Sequence, residues 1–137
     1  MPTVTGLLET SLYVDDLERA AEFYKTLFEF KTLVSDDTVH ALSVSGNQVL
    51  LLFRRGATAR PVPTRGGVIP GHTGSGQLHL AFAVHALDLE AWRDALNRNN
   101  VGIESEVDWI AGGHSIYFRD PDRNLVELVT PGTWSIY

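Results

Sequence analysis

Three polar side chains stand where their neighbours are apolar: Glu9 in LLETSLYV, His79 in QLHLAFAV and Glu127 in NLVELV. A carboxylate withdrawn from water without a counter-charge costs several kcal/mol, so two such acids call for a cation close by. The chain has 5 His and no Cys, which excludes disulfides, thiolate nucleophiles and Cys-based zinc sites together and leaves any metal to His, Asp and Glu. One imidazole and two carboxylates form a relatively hard ligand set with open positions, the arrangement of a catalytic rather than a structural ion, and Mn, Fe, Ni, Zn or Mg would suit it. Each residue also has a plain reading. His79 could be a hydrogen-bonded strand histidine, Glu127 a mid-strand acid, and Glu9 an ion-pair partner of Arg54, Arg55 or His79.

The elements that must position these groups can be read from periodicity. The stretch Gly6 to Val14 alternates as a strand, with Glu9, Ser11 and Tyr13 sharing one face. Asp15 followed by Glu18 marks a helix start, and Leu17, Ala20, Ala21, Tyr24, Leu27 and Phe28 recur at helical spacing behind it. Short strands are expected over 30–34, 38–44 and 49–53, with a hairpin turn at Gly46–Asn47. Residues 54–76 are rich in Gly and Pro without any period and read as a long loop. Beyond it come a strand over 78–84, a helix capped by Asp88 and carrying Leu89, Trp92 and Leu96, and strands over 103–107, 115–119 and 125–129. A DPDRN turn joins the last two, with Asn124 expected to take a left-handed conformation beside Arg123.

The two halves repeat. ETSLYVDDLE overlies HLAFAVHALD and brings Glu9 onto His79; GNQVLLLF overlies DRNLVELV and brings Leu51 onto Glu127. The expected fold is therefore α+β, two tandem βαβββ modules forming a curled mixed sheet around a cleft. One domain spans 1–137, with module one at 5–54, a connecting loop at 55–76 and module two at 77–131. A pseudo-twofold between the modules would let Glu9, His79 and Glu127 converge on that cleft. Ser11, Tyr13 and Trp109 are candidates to line it, as is Trp134, which could equally be core or subunit contact.

Composition narrows the classes. An excess of 17 acidic over 11 basic residues argues against nucleic acid as the main partner. No run of about 18 apolar residues is present for a membrane span, and MPTVTGLLET shows no signal-peptide pattern, so a cytoplasmic protein is expected. GHTGSG satisfies no phosphate-loop or dinucleotide pattern, and no G-x-S-x-G elbow occurs.

LYVDDLERAAEFY, QLHLAFAV and SIYFRDPDRNLVELVTP together resemble the vicinal oxygen chelate superfamily, which includes glyoxalase I, bleomycin-resistance proteins, fosfomycin-resistance enzymes and extradiol dioxygenases. The resemblance implies a divalent metal on His79 and Glu127, with Glu9 at a position usually held by His. A displaced carboxylate, Glu9 before Glu127, or a hydroxide on the ion would serve as base. It also implies that Tyr117 presents its phenol to substrate, and that His114 replaces an Arg that often precedes this strand. Glyoxalase I has a carboxylate where Leu51 stands, which counts against that activity. The fosfomycin enzymes carry a basic loop that SEVDWIAGGH does not resemble. The implied protein is a homodimer acting on a small oxygenated substrate, a lyase, isomerase or dioxygenase; a non-catalytic drug-sequestering protein is the alternative. Of the other histidines, His72 falls in the long loop, and His40 and His85 are expected at the surface.

Overall fold

Asp16 opens the first helix. Its backbone is extended and its carboxylate accepts the Arg19 N–H at 3.0 Å, so the cap falls one residue after Asp15. Asp15 is instead ion-paired with Arg55. The computed structural model describes residues 1–137, and the helix, α1, spans Leu17–Phe28. Leu17, Ala20, Ala21, Tyr24 and Leu27 are buried, one stripe of a 3.6-residue period laid against a sheet. Glu29, in a left-handed conformation, ends it.

That sheet consists of β1 (Glu9–Val14), β2 (Lys31–Ser35), β3 (Val39–Val44) and β4 (Gln48–Arg54), ordered β1-β4-β3-β2 with β1 and β4 parallel. A second four-stranded sheet has the same plan: β7 (His79–Ala83), β8 (Ile103–Asp108), β9 (His114–Arg119) and β10 (Leu125–Val129), ordered β7-β10-β9-β8 with β7 and β10 parallel. Helix α2 (Leu89–Arg98) follows β7 as α1 follows β1. The fold is α+β, built from two βαβββ modules. Contacts divide the chain into one unit over Met1–Ser75 and another over Gly76–Tyr137.

Register shows the duplication residue by residue. Ser11 pairs with Leu51 and Ala81 with Glu127, the same rung in both sheets; Glu9–Val49 and His79–Leu125 are the rung below. Even the irregularities correspond, since the β2–β3 ladder slips between Thr32 and Val34 and the β8–β9 ladder between Ile103 and Ser105.

Several local expectations are corrected. Asp88 makes no side-chain cap, because α2 is entered through a 3₁₀ turn over Ala86–Asp88. The hairpin between β3 and β4 turns on Ser45 and Gly46, both at positive φ. The loop over 54–76 holds a small hairpin, β5 (Val62–Thr64) with β6 (Gly67–Ile69). Its strands are exposed throughout and tied by the Thr64 hydroxyl, so no apolar alternation announces them. His40 is not at the surface but buried, with the Ser35 hydroxyl 3.1 Å from Nε2.

In the DPDRN turn it is Arg123, not Asn124, that is left-handed, at φ 67°. Asn124 is committed elsewhere. Its amide nitrogen donates to Asp120 Oδ2 at 2.9 Å, and its Oδ1 accepts the Leu78 N–H at 2.9 Å. Asp120 Oδ1 also accepts the N–H groups of Asp122 and Asn124. This buried clamp ties the turn before β10 to the residue before His79.

Candidate metal centre

Pairing assigns the two faces of the second sheet. Ile116, Phe118, Val126 and Leu128 are fully buried on one side, matched across the β9–β10 ladder. The alternate residues Ser115, Tyr117, Glu127 and His79 face the other way. His79 and Glu127 are diagonal neighbours, with Nε2 and Oε2 3.2 Å apart. The imidazole is half-exposed and the carboxylate nearly covered.

Each group's remaining valence is already used. His79 Nδ1 lies 3.0 Å from the carbonyl oxygen of Leu125, a pure acceptor, so Nδ1 carries a proton and Nε2 is the nitrogen turned to Glu127. Glu127 Oε1 accepts the Ser115 hydroxyl proton at 2.5 Å, and Ser115 Oγ in turn accepts the Trp109 indole N–H at 2.8 Å. Oε2 is thus the oxygen left to face the imidazole. At this distance Nε2 and Oε2 share a positive centre, a proton on Nε2 in the ion pair or a metal cation in its place. Neighbouring ligands of a cation bonded at about 2.1 Å lie roughly 3.0–3.4 Å apart in octahedral or tetrahedral geometry. The pair therefore fits two adjacent vertices of a divalent ion, and the Nδ1–H···O=C bond is the outer support that metal-bound histidines use.

Tyr117 pairs directly with Glu127, and its ring centroid lies 6.4 Å from that of His79. Burial, reinforced by the Glu127 carboxylate and opposed by the Ser115 hydroxyl, raises its pKa, so the phenol keeps its proton. Trp109 is part-exposed beside the site. No group of three His, Asp or Glu side chains gathers as a ligand set anywhere in the chain.

Three residues singled out in the sequence lie in the first module. Glu9, Ser11 and Tyr13 share the face of β1 that carries Val49, Leu51 and Phe53 on β4. Glu9 is exposed and makes no ion pair with either arginine proposed for it. Arg54 donates to the Asp37 carbonyl, while Arg55 binds Asp15 and the Tyr13 carbonyl. The Tyr13 hydroxyl is 2.7 Å from His72 Nδ1, both rings pack with Phe53, and Gly74 lies so close over Tyr13 that a Cβ there would come within 2.4 Å of the ring. His72 thus fastens the long loop to β1. Trp134 is 71% exposed and belongs to no core.

His114 does not join the second-module site. It has the parity of Ile116 and Phe118, so it points to the opposite face of the sheet from Glu127. There it lies between Glu106 and Asp108, at 2.7 Å from each, with Arg93 of α2 also on Glu106. Burial favours the neutral ring, but the two carboxylates outweigh it and raise the pKa. A pKa raised by folding adds stability below the unfolded value near 6.5, and that stability is lost as pH rises through the folded value. The expected result is that His114→Gln destabilises the protein more at about pH 6 than at about pH 8. Urea midpoints at the two pH values read the difference; equal losses at both would contradict it.

Sequence reasoning missed Ser115, the residue that fixes the Glu127 carboxylate. Its one available signal is parity, two positions from Tyr117 on the same strand face.

The chain matches the Glyoxalase/Bleomycin resistance protein/Dioxygenase superfamily over residues 6–128, and it belongs to that superfamily. Among curated relatives, metallothiol transferase FosB of Staphylococcus saprophyticus is 32% identical over 118 residues, covering 85% of this chain and 71% of the relative. FosB of Staphylococcus epidermidis is 28% identical over 128 residues, covering 93% and 82%. Among solved structures, lactoylglutathione lyase from Agrobacterium tumefaciens superposes with a TM-score of 0.88 at 27% identity, covering 98% of this chain and 99% of that one. The FosB proteins stand among the relatives although the SEVDWIAGGH segment carries no Lys or Arg. No helix is long and apolar enough to cross a membrane.

Proposed function

We propose that this chain is a metal-dependent enzyme acting on a small oxygenated substrate, with a divalent cation held by His79 and Glu127 and a Glu9 carboxylate, of this chain or of a second copy, completing the ligand set. The observation that carries the reading is the facing of His79 Nε2 and Glu127 Oε2 at 3.2 Å while Nδ1 and Oε1 are bonded elsewhere. Glu9 is supported by its equivalence to His79 in the duplicated sheet and by a carboxylate that neither Arg54 nor Arg55 neutralises. When bound, the cation would chelate two neighbouring substrate oxygens and stabilise negative charge developing on them.

The chain's own groups do the rest. The Leu125 carbonyl holds the His79 tautomer, and Ser115 holds the Glu127 rotamer. The protonated Tyr117 phenol, hydrogen-bonded to Glu127, would turn its O–H to a substrate oxygen bound beside the carboxylate. Of the activities named among the relatives, transfer of a thiol is supported better than the lyase reaction. Leu51 stands at the counterpart of Glu127, where the superfamily's glyoxalases are expected to hold a carboxylate base. With no Cys in the chain, the thiol would be an external reactant. A homodimer is the proposed assembly, on the family resemblance.

Elemental analysis of protein purified without chelator tests the reading. About one ion per chain is expected for the parent and none for His79→Ala. A parent that is empty and takes up no added ion would overturn it in favour of a sequestering protein. With fosfomycin as oxygenated acceptor, a small thiol should be consumed only by the metal-loaded protein. Equal thiol loss with loaded and stripped protein would remove the transferase assignment.

A further inference from the structure

We infer that Trp109 and Ser115 are positioning residues for the cation, acting on it through Glu127; the inference rests on the metal-dependent function proposed above. Ser115 is fully buried, so no water can substitute for either of its partners. A serine hydroxyl has one proton to give. The indole N–H of Trp109 is a donor only, and at 2.8 Å it occupies a lone pair of Oγ. The Ser115 proton is thereby directed to Glu127 Oε1, at 2.5 Å, and Oε2 is the oxygen left facing His79. Without the relay, only the Tyr117 phenol and the imidazole would remain to orient the carboxylate.

Trp109 is itself held. Its backbone N–H donates to the Gly113 carbonyl at 2.8 Å, and its carbonyl accepts the Gly112 N–H at 2.9 Å, closing a tight loop before β9. Gly113 backs onto Gly132 and Thr133 so closely that a Cβ would come within 2.4 Å of the Thr133 hydroxyl. The segment SEVDWIAGGH carries no Lys or Arg, and its carboxylates Glu106 and Asp108 are paired with Arg93 and His114. Its tryptophan instead sets the proton that orients a metal ligand.

The test is calorimetric titration of Mn²⁺ into the full-length parent, Ser115→Ala, Ser115→Thr and Trp109→Phe, with tryptophan emission followed in parallel. Ser115→Ala is expected to weaken Mn²⁺ binding by about 10- to 100-fold, the usual effect of removing an outer-sphere partner. Ser115→Thr, which keeps the hydroxyl, should bind close to the parent; Trp109→Phe, which keeps most of the ring but not the N–H, should fall between. Mn²⁺ should change the parent's emission, and that change should be absent in Trp109→Phe. Parental affinity in Ser115→Ala, or equal losses in the alanine and threonine variants, would overturn the inference. A parent that itself binds no Mn²⁺ would overturn the metal-dependent function and this inference with it. Should Ser115→Ala fail to fold, the threonine and phenylalanine variants still carry the comparison.

Discussion

Glu127→Gln is expected to lower affinity for divalent metal by well over about a hundredfold, more than loss of an outer-sphere partner would, while leaving the metal-free protein at least as stable as the parent. The two effects have one cause. Glu127 is a nearly covered carboxylate whose Oε2 faces His79 Nε2 at 3.2 Å. A nearly covered carboxylate carries a desolvation cost that a neutral isostere avoids, and the isostere lacks the charge a divalent cation needs. The Gln oxygen still accepts the Ser115 proton, so the strand need not adjust. With metal at about a hundred times its dissociation constant, the parent should gain about 2.7 kcal/mol. For a chain of this size that is a rise of roughly 10 °C in melting temperature, and the variant should show none of it. Calorimetric melts with and without metal read both effects. A variant that retained the shift would place the ion elsewhere; one that lost stability without metal would make Glu127 structural.

Asn124→Ala is expected to cost about 3 kcal/mol and to weaken metal binding at the same time. The side chain is fully covered and makes two hydrogen bonds, to Asp120 and to the Leu78 N–H. Alanine leaves a covered carboxylate oxygen and the Leu78 amide short of partners, and each orphan carries a penalty of about 1–3 kcal/mol. The link to function is geometric: Leu78 precedes His79, and Leu125, which carries the carbonyl bonded to His79 Nδ1, follows Asn124. Urea unfolding measures the first effect and metal titration under native conditions the second. Loss of stability with unchanged metal affinity would confine the clamp to the fold.

The residues the sequence singles out are those whose type conflicts with their surroundings. His79 and Glu127 interrupt apolar strands, and the duplication that aligned Glu9 with His79 reappears in the shared rungs of the two sheets. What stayed hidden is of three kinds. Backbone groups such as the Leu125 carbonyl have no side-chain signature. Ser115 is a common strand residue whose role comes from a tryptophan six positions earlier. Arg123 adopts a conformation usually left to Gly because Asn124 is held by Asp120 and Leu78, a constraint that spans 46 residues. His114 shows the opposite failure. Its type attracted attention, yet its odd spacing from Ser115 and Tyr117 already put it on the other face of β9, where Glu106, Asp108 and Arg93 account for it.

The most direct measurement is an anomalous-difference map at the manganese edge from crystals grown with Mn²⁺. One dominant peak is expected about 2.0–2.3 Å from both His79 Nε2 and Glu127 Oε2, with Nδ1 still bonded to the Leu125 carbonyl. A dominant peak away from this pair, on the acidic rim formed by Asp15, Asp16, Asp36 and Asp37 for example, would contradict the proposed centre, as would no peak at all.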